Sequence, residues 1–480
     1  MSTFSRRRFV KLGSAAALAC MGPWIRTSRA QAPRLDGIPS LDGELVLDEA
    51  ARRAIADDHS NLHYRVPAAV LRPRSVDDVM KIVRYANARS LKVVMKGRGH
   101  SQYGQTQAEG GIVIDSGNLN AIRFGEQFLD VQPGAFWANV ATAAIPRGLT
   151  PPVFLATCMG VTVGGTLSVG GIGTNSIHRG AQVDTVTELD VVTGDGRLVT
   201  CSAEREAELF EMTLAGVGQC GVIVRARLPL EPAPSHLVIQ NLVYSDMDAY
   251  LADQTTAAAQ ERYHTQRGVL AKGKDGKWTA TMEVGRQYSS SEPDMAALRA
   301  GLHFESVAEP VRMTYKDFLY RFEELNSNNA ALRATQERQF LTMWMPASTS
   351  RAYLDFVFAK DLAFNRLSAY PINTRKFTRP LFRVPDEEYA FSIWQFYVAP
   401  RGNLEARGAM MATNRELIGK MKALGGKRYA PYTGVMSPAD WQEHFGPAIW
   451  QRLSQAKKRY DPSNVLTPGP NMFAAPRTAA

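Results

Sequence analysis

Residues 91–101 read LKVVMKGRGHS, and this stretch decides the fold. Its apolar first half is typical of a strand, which runs directly into the turn GRGHS at residues 97–101. Glycine lets the backbone come close to a bound phosphate, and the N–H groups of such a turn can face an anion. The turn lacks the third glycine of a dinucleotide fingerprint and the Gly-Lys-Ser/Thr of a P-loop, so neither of these two motifs is present.

The sequence before this turn predicts a β-α-β unit. Residues 68–71 form a short apolar run that Pro73 closes. Ser75, with Asp78 three positions on, is typical of the capping box at a helix start. Apolar residues then recur at helical spacing until about residue 89. The glycine turn therefore follows the second strand of the unit.

A second glycine-rich stretch, residues 160–173, reads GVTVGGTLSVGGIG. Six glycines in fourteen positions are too many for a helix interior or a plain strand, because each glycine weakens both. We interpret the stretch as backbone that closely approaches something flat or charged.

The rest of the chain shows one clear change of composition. Prolines in residues 230–235 interrupt every periodic pattern, and the segment beyond them is poorer in glycine and richer in aromatic residues to about residue 432. Residues 438–473 are helical and then turn-rich. Between the glycine-rich stretch and the prolines, we predict a hairpin of strands over 183–193 and 197–202, a helix over 204–214 and a strand over 218–228.

Length and composition limit the class of protein. At about 150 residues per domain, 480 residues predict two or three domains. A hydrophobic content of 45% and a charged content of 21% exclude disordered and fibrous classes. The net charge of +10 falls to +4 without the six basic residues of residues 1–32, and no basic stripe remains. We therefore expect no nucleic-acid partner.

Residues 1–32 are typical of an export signal. Residues 5–11 read SRRRFVK, the pattern of a twin-arginine signal, and an apolar stretch and small residues near Ala30 and Ala32 follow. The apolar stretch is too short for a permanent span, so we expect no stable membrane anchor. A twin-arginine signal favours a protein that takes up its cofactor before export to the periplasm or the medium. An ordinary secretory peptide is the alternative.

Cysteine and histidine spacing indicates neither a zinc site nor a disulfide framework. Beyond residue 32 the cysteines are Cys158, Cys201 and Cys220, an odd number with no Cys-x-x-Cys pair. The eight histidines form no His-Glu-x-x-His motif. We predict a protein without a metal, in which Cys201 and Cys220 are buried thiols.

These motifs together resemble the cytokinin dehydrogenase family, flavoproteins of the vanillyl-alcohol oxidase type. The segments that carry the resemblance are GRGHS with Gln105, VGGTLS at 163–168, ELDVVTG at 188–194, VTCS at 199–202, GQCG at 218–221, Trp441, HFG at 444–446, Trp450 and YDP at 460–462. The resemblance implies an α+β fold with two domains. Residues 33–235 and the returning segment 438–480 form a PCMH-type FAD-binding domain, and residues 236–437 form a mixed α/β substrate-binding cap.

The resemblance also implies a covalent flavin. The family histidine that matches His100 is joined to the flavin 8α carbon, which raises the flavin's reduction potential while the flavin itself carries the redox step. Where the family has glutamine after Pro-Gly, this chain has Pro470. The positions that match cofactor contacts are Gly97, Arg98, Gly99, His100, Ser101, Gln105, Thr162, Ser168, Ile172, Val222 and Thr467.

The catalytic base departs from the family pattern. Family members place an aspartate five residues before the threonine of Thr-Val-Gly-Gly, and this chain has Thr157 there. A threonine hydroxyl does not accept a proton at neutral pH, so either another group serves or the substrate needs no such base. Glu283 in the cap is a candidate, with an ordinary strand glutamate as the alternative. The implied activity is hydride abstraction from a small amine, with oxygen or another molecule as electron acceptor.

Cys158 points to a second interpretation. The segment that begins at Cys158 resembles the berberine-bridge-type and oligosaccharide oxidases, in which a cysteine binds flavin C6, so FAD would have two covalent links. The activity would then be alcohol or oligosaccharide oxidation. A third alternative is a flavin-binding protein without catalysis. In the cap, Trp344, Trp394, Phe396 and Tyr397 either line a substrate pocket or belong to the core.

Overall fold

A computed structural model describes residues 35–155, 158–322, 334–360, 362 and 364–473. The elements below all lie in one unit, Gly37–Ala480. Its strands are β1 (Glu44–Val46), β2 (Ala69–Arg72), β3 (Val93–Lys96), β4 (Ile112–Asp115), β5 (Ile122–Phe124), β6 (Phe128–Val131), β7 (Leu149–Thr150), β8 (Glu188–Val192), β9 (Leu198–Ser202), β10 (Val222–Pro229), β11 (Glu231–Pro232), β12 (His236–Tyr244), β13 (Thr265–Lys272), β14 (Trp278–Tyr288), β15 (Ser306–Val307), β16 (Val311–Thr314), β17 (Gln336–Pro346), β18 (Arg366–Asn373), β19 (Tyr389–Pro400) and β20 (Lys427–Arg428).

The described α-helices range from four to 20 residues in length, and Leu404–Ala423 is the longest. They are α1 (Glu49–Ala54), α2 (Val76–Ala88), α3 (Trp137–Ala144), α4 (Val163–Leu167), α5 (Ser176–Arg179), α6 (Gln182–Thr185), α7 (Ala207–Thr213), α8 (Met247–Ala259), α9 (Met295–Leu298), α10 (Tyr315–Tyr320), α11 (Ala347–Ala359), α12 (Leu404–Ala423), α13 (Pro438–Phe445) and α14 (Pro447–Tyr460). No helix in the described part of the chain is both long and apolar enough to cross a membrane.

The predicted β-α-β unit is present as β2, α2 and β3. Ser75 caps α2, because its side chain accepts a hydrogen bond from the Asp78 N–H at 3.2 Å while the Asp78 carboxylate accepts one from the Ser75 N–H. The strands β2, β4 and β3 are parallel and β1 is antiparallel, in the order β1-β2-β4-β3. In this small sheet, β3 ends at Lys96, directly before the glycine turn.

A two-stranded pair of β7 and β11 and two larger sheets complete the architecture. An antiparallel five-stranded sheet has the order β5-β6-β10-β8-β9. The cap holds a nine-stranded antiparallel sheet, β15-β12-β14-β13-β18-β19-β17-β20, with β16 also paired to β12. The α+β class and the two-part organisation predicted from the sequence are therefore confirmed.

The register of the cap sheet decides which side chains share a face. Phe340 and Arg366 both lie opposite Phe396 on β19, and side chains on a strand alternate between faces. Leu270 and Leu367 pair on the other face and belong to a core with the helices α8 and α11. One face of the cap sheet thus packs on this core, while Phe340, Arg366 and Phe396 lie on the opposite face.

The C-terminal segment packs on the N-terminal half. Val93 and Leu466 form a parallel bridge, and the Thr467 N–H donates to the Val93 oxygen at 2.7 Å. Buried Asp461 fixes the loop, because its carboxylate accepts hydrogen bonds from the N–H groups of Val465 and Leu466 and from the Lys457 ammonium. The tail therefore borders β3 and the glycine turn, while the exact domain boundaries stay a prediction.

Three predicted elements differ from the structure. Residues 182–185 form the short helix α6, so the strand predicted from residue 183 begins at Glu188. Asp184 fixes this turn by accepting hydrogen bonds from Ala181 and Thr378, and the second partner is far away in sequence. The strand predicted from 218 begins at Val222, and the helix predicted from 204 begins at Ala207.

The glycine-rich stretch contains one helical turn, α4, although its composition disfavours helix. A Cβ at Gly164 would overlap Pro133, so close packing needs glycine there. Tertiary packing therefore outweighs the weak helix propensity of these residues.

Candidate functional site

A cavity of about 660 Å³ lies where the glycine turn, the α4 region, the tail and the cap sheet meet. Its volume is in the range of small-molecule and cofactor sites. Every residue predicted to contact the cofactor lines it: Gly97, Arg98, Gly99, His100, Ser101, Gln105, Cys158, Thr162, Ser168, Ile172, Val222 and Thr467. The fold thus brings together residues that are up to 370 positions apart in the sequence.

The glycine turn is held from behind by a lysine. The Lys96 ammonium donates to the carbonyl oxygens of Ile55, at 2.7 Å, and Asp57. Gly99 has φ +67°, and a Cβ there would lie 2.8 Å from Lys96 Cε. No described residue accepts a hydrogen bond from the N–H groups of Arg98, Gly99 or Ser101. These donors are therefore available to a bound anionic or carbonyl group.

His100 is held between two side chains at the cavity wall. The His59 imidazole stacks on it with ring centroids 4.4 Å apart and planes at 17°. The Cys158 sulfur lies 3.8 Å from His100 Nε2. The His59 N–H donates to the Gly99 oxygen at 2.8 Å, which ties the stacking ring to the turn. The imidazole and the thiol thus face the same part of the cavity.

The second glycine-rich stretch forms the neighbouring wall. Thr162 is the residue before α4, and a Cβ at Gly97 would overlap its hydroxyl oxygen, so the two loops pack backbone against side chain. Ser168 Oγ donates to the Gly164 oxygen at 2.7 Å at the end of the same turn. On the tail, Thr467 has φ +47° and its hydroxyl donates to the Gly218 oxygen at 2.9 Å.

The residues present fit a flavin nucleotide. Four buried side-chain oxygens that line the cavity or its rim have no partner among the described residues: Gln105 Oε1, Thr106 Oγ1, Ser116 Oγ and Thr162 Oγ1. A buried polar atom without a hydrogen bond is costly, so these atoms indicate a polar ligand. Glycine backbone, hydroxyls and amides suit a diphosphate and ribityl chain, and the aromatic wall opposite suits a flat ring.

The opposite wall comes from the cap sheet. The rings of Phe340 and Phe396 stack with centroids 4.3 Å apart, and Trp394 and Tyr432 lie beside them. Trp344 is instead fully buried in the core. Tyr397 lies on the other face of β19, where it packs against Phe364. Of the four aromatic residues left open by the sequence, two line the cavity and two do not.

Hydrogen bonds join the glycine turn to the cap. The Gln102 N–H donates to the Pro431 oxygen at 3.0 Å, and its side-chain oxygen accepts from the Phe340 N–H at 3.1 Å. Gln105 Nε2 donates to the Ala430 oxygen at 2.8 Å. The turn that carries His100 is therefore positioned by both parts of the molecule.

Of the two predicted catalytic residues, one lies outside the described residues and the other is not among the lining residues. Thr157 lies outside the described residues, as does the predicted signal, residues 1–32. Glu283 on β14 accepts a hydrogen bond from Arg321 at 2.7 Å and is not among the lining residues. The assignment of a base to either position stays a prediction.

The other two cysteines differ from Cys158. Cys201 and Cys220 are fully buried, and burial raises the pKa of each thiol to about 12, so both stay protonated. Cys158 is only half buried and lines the cavity.

Sequence reasoning missed several lining residues. These are His59, Arg338, Phe340, Asn365, Arg366 and Tyr432. The alternation of Arg338 and Phe340 along β17 was a usable signal, because alternate residues of a strand share a face. His59 and Tyr432 lie in irregular segments, where no periodicity marks the side that faces a ligand.

Comparison with known proteins agrees with this geometry. The family model described as "FAD binding domain" matches residues 67–202. The model described as "Cytokinin dehydrogenase 1, FAD and cytokinin binding" matches residues 242–473. The first match covers both glycine-rich loops, and the second covers the cap and most of the tail.

Relatives match over nearly the whole chain. An uncharacterized oxidoreductase of the fasciation locus of Rhodococcoides fascians is 35% identical over 438 residues, which is 88% of this chain and 98% of the relative. Cytokinin dehydrogenase 4 of Oryza sativa subsp. japonica is 31% identical over 492 residues, 91% of each chain. The solved structure of 6-hydroxy-D-nicotine oxidase from Arthrobacter nicotinovorans has the same fold, with a TM-score of 0.71 at 20% identity over 90% of this chain and 97% of that chain. Because the cavity, the matched models and the full-length relatives agree, the chain belongs to the cytokinin dehydrogenase family of FAD-dependent oxidoreductases.

Proposed function

We propose that this enzyme is exported, carries FAD covalently on His100 and takes hydride from the C–N bond of a small amine. The observation that carries the proposal is the position of His100, which faces the same cavity as the aromatic surface of the cap sheet. Bound FAD would supply the hydride acceptor, and the electrons would then go to oxygen or another acceptor.

The chain's own residues would hold the cofactor and orient the substrate. The N–H groups of the glycine turn and the unpartnered oxygens of Gln105 and Thr162 would bind the nucleotide's polar groups. The imidazole of His100, fixed by its stacking on His59, would hold one edge of the ring. The rings of Trp394 and Phe396 would contact the apolar part of a substrate, hold it in the cavity and exclude water.

The amine must also lose a proton when its C–N bond is oxidised. Thr157 has no charged form that accepts a proton at neutral pH, and the Glu283 carboxylate is engaged by Arg321. We therefore expect the amine to react as its neutral free base. Anaerobic flavin reduction measured with amines of different basicity should then rise with pH through each amine's own pKa. One common pKa for every amine would instead identify a base on the enzyme.

Acid precipitation tests the attachment. We expect the pellet of the parent protein to stay yellow and that of His100→Ala to be colourless, because only a covalent flavin survives denaturation. His236→Ala, which changes an exposed histidine of the cap, should keep the colour. A colourless parent pellet from flavin-loaded protein would refute the covalent link.

A substrate panel tests the reaction. Secondary amines should bleach the visible flavin band under anaerobic conditions, while alcohols and sugars should not. If alcohols or sugars bleach it, the oxidase alternative holds. If nothing in the panel does, the protein is a flavin binder without this activity.

A doubly linked flavin is the second candidate, because the Cys158 sulfur lies 3.8 Å from the His100 imidazole. Mass measurement of flavin-bearing peptides should then find residues 100 and 158 joined through one flavin. Cys158→Ala would change the visible spectrum while keeping an acid-stable flavin on His100. The matched control is Cys201→Ala, which changes a thiol buried elsewhere. A Cys158→Ala spectrum identical to that of the parent would refute the second link.

Export is proposed from residues 5–11 alone. Replacing both Arg6 and Arg7 with lysine in the full chain should leave the protein in the cytoplasm, measured as flavin colour in the periplasmic and cytoplasmic fractions. Unchanged export of this variant would indicate an ordinary secretory peptide.

A further inference from the structure

The cap side of the site carries more positive charge than its described carboxylates neutralise. A second cavity of about 60 Å³ adjoins the large one, and the two share five lining residues, among them Trp394, Phe396 and Arg366. Its remaining wall includes Arg267, Ser368 and Tyr370. The small cavity therefore continues the large one along the cap sheet, and His100 does not line it.

Three guanidinium groups surround one phenyl ring at this place. The Cζ atoms of Arg267, Arg321 and Arg366 lie 4.2, 4.5 and 5.9 Å from the centroid of Phe322. Among the described residues, Glu283 is the one carboxylate that pairs with any of the three, and it pairs with Arg321. Among the described residues, the two arginines that line the small cavity, Arg267 and Arg366, therefore have no carboxylate partner.

Burial makes this imbalance costly. Arg267 is 6% exposed, and Nε and Nη1 of Arg321 are buried without a partner among the described residues. Arg267 lies directly opposite Glu283 on the neighbouring strand, yet Glu283 gives its carboxylate to Arg321. A cation over a ring is stabilised less than a buried ion without a counter-charge is destabilised. The phenyl ring alone therefore does not balance these arginines.

We infer that the small cavity binds a carboxylate of the substrate, so that the substrate class is a carboxylate-bearing amine. This rests on the proposed function of the large cavity. Arginine suits a carboxylate because its planar donors match the two oxygens. The hydroxyls of Ser368 and Tyr370, in the same cavity wall, supply further donors. A cavity of about 60 Å³ fits a group of this size rather than a second ring.

A binding measurement tests the anion site without turnover. Benzoate is the probe, because its ring suits the aromatic wall, and benzamide is its uncharged counterpart. Titrated into the flavin-loaded full chain and followed by the flavin absorbance and by the melting temperature, benzoate should bind about 10- to 100-fold more tightly than benzamide. In Arg267→Met this preference should disappear, and Arg267→Lys should keep part of it. Arg312→Met removes an exposed arginine of the cap and should keep all of it.

A turnover measurement ties the site to the substrate. N-methylbenzylamine is compared with its meta- and para-carboxylated analogues by anaerobic flavin reduction in the same four proteins. We expect kcat/KM for one carboxylated analogue to exceed that for the parent amine by about tenfold or more, and the ratio to fall to about one in Arg267→Met.

The outcomes separate the two proposals. Equal binding of benzoate and benzamide by the parent protein, or an unchanged preference in Arg267→Met, would overturn the carboxylate site even where amines reduce the flavin. Tight, Arg267-dependent binding of benzoate together with no flavin reduction by any amine would keep the anion site and refute amine oxidation.

Discussion

The glycine-turn side of the cavity presents backbone N–H groups and short polar side chains, whereas the cap side presents rings and guanidinium groups. The first wall is made by loops that pack so closely that a Cβ at Gly97 would overlap Thr162. The second is one face of long strands, where a side chain can change without moving its neighbours' backbone. We therefore expect changes on the turn side to affect cofactor binding and folding, and changes on the cap side to affect substrate choice.

The largest effect on flavin binding should come from a methyl group on the turn side. In Gly469→Ala, the new Cβ would overlap the carbonyl oxygens of Gly104 and Gln105, where the tail crosses the glycine turn. Flavin bound per protein should fall about tenfold or more, since overpacking of this kind costs roughly 1–3 kcal/mol or more. Gly408→Ala, on the open side of α12 with nothing near its Cβ, should bind flavin fully. Full flavin content in Gly469→Ala would contradict the close packing of this wall.

The largest effect on the free energy of unfolding should come from the buried ion pair in the tail. Asp461 is 1% exposed and pairs with buried Lys457 at 2.6 Å. Asp461→Asn leaves the lysine charge buried without a counter-charge, which should lower the free energy of unfolding by about 3–5 kcal/mol, measured by urea titration. Asp77→Asn, in an exposed pair with Lys81, should change it far less. Equal losses in the two variants would show that burial does not determine how much an ion pair stabilises the fold.

Acid should weaken the fold through two histidines, His63 in the N-terminal half and His444 on α13 of the C-terminal segment. Burial, reinforced by nearby Arg428, lowers the pKa of His444 to about 3, and burial beside Arg65 lowers that of His63 to about 4. The unfolded chain binds a proton at each near pH 6.5, so stability is complete above that pH and falls as the pH drops toward the folded pKa.

Each of these histidines should contribute a loss of roughly 1–2 kcal/mol between pH 6.5 and pH 5, measured by urea unfolding. His444→Gln should reduce the slope of stability against pH in this window. His236→Gln, an exposed cap histidine, should leave it as in the parent protein. A slope unchanged in His444→Gln would show that this side chain already takes up a proton in the folded state.

The smallest effect should come from the cap wall. Trp394 lines the cavity, and its indole N–H donates to Ser392 on the same strand at 2.7 Å. Trp394→Leu should keep the flavin content and raise KM for an aromatic amine by up to about tenfold, because one aromatic contact contributes about 0.5–1.5 kcal/mol. Trp278→Leu, on β14 against Phe358 rather than the cavity, is the matched control. Loss of flavin in Trp394→Leu would contradict the division between the two walls.

Local sequence determined the elements whose signals are short-range. The capping box at Ser75 and Asp78, the strand before GRGHS and the glycine density at 160–173 depend on neighbours within a few residues, and they located most of the turn-side wall. The resemblance of these same segments to a flavoprotein family predicted FAD as the cofactor and His100 as one of its contacts.

Tertiary packing, in contrast, determines which side chains line the cap side of the cavity. Arg267, Arg366 and Phe322 are ordinary strand or loop residues in the sequence, and they meet because β13 and β18 are neighbours in the cap sheet. Likewise, β8 begins at Glu188 and not at the predicted residue 183, because Asp184 accepts a hydrogen bond from Thr378, almost 200 positions away. Pairings of this kind carry no local signal, since sheet register and buried charge balance are set by strands that are distant along the chain.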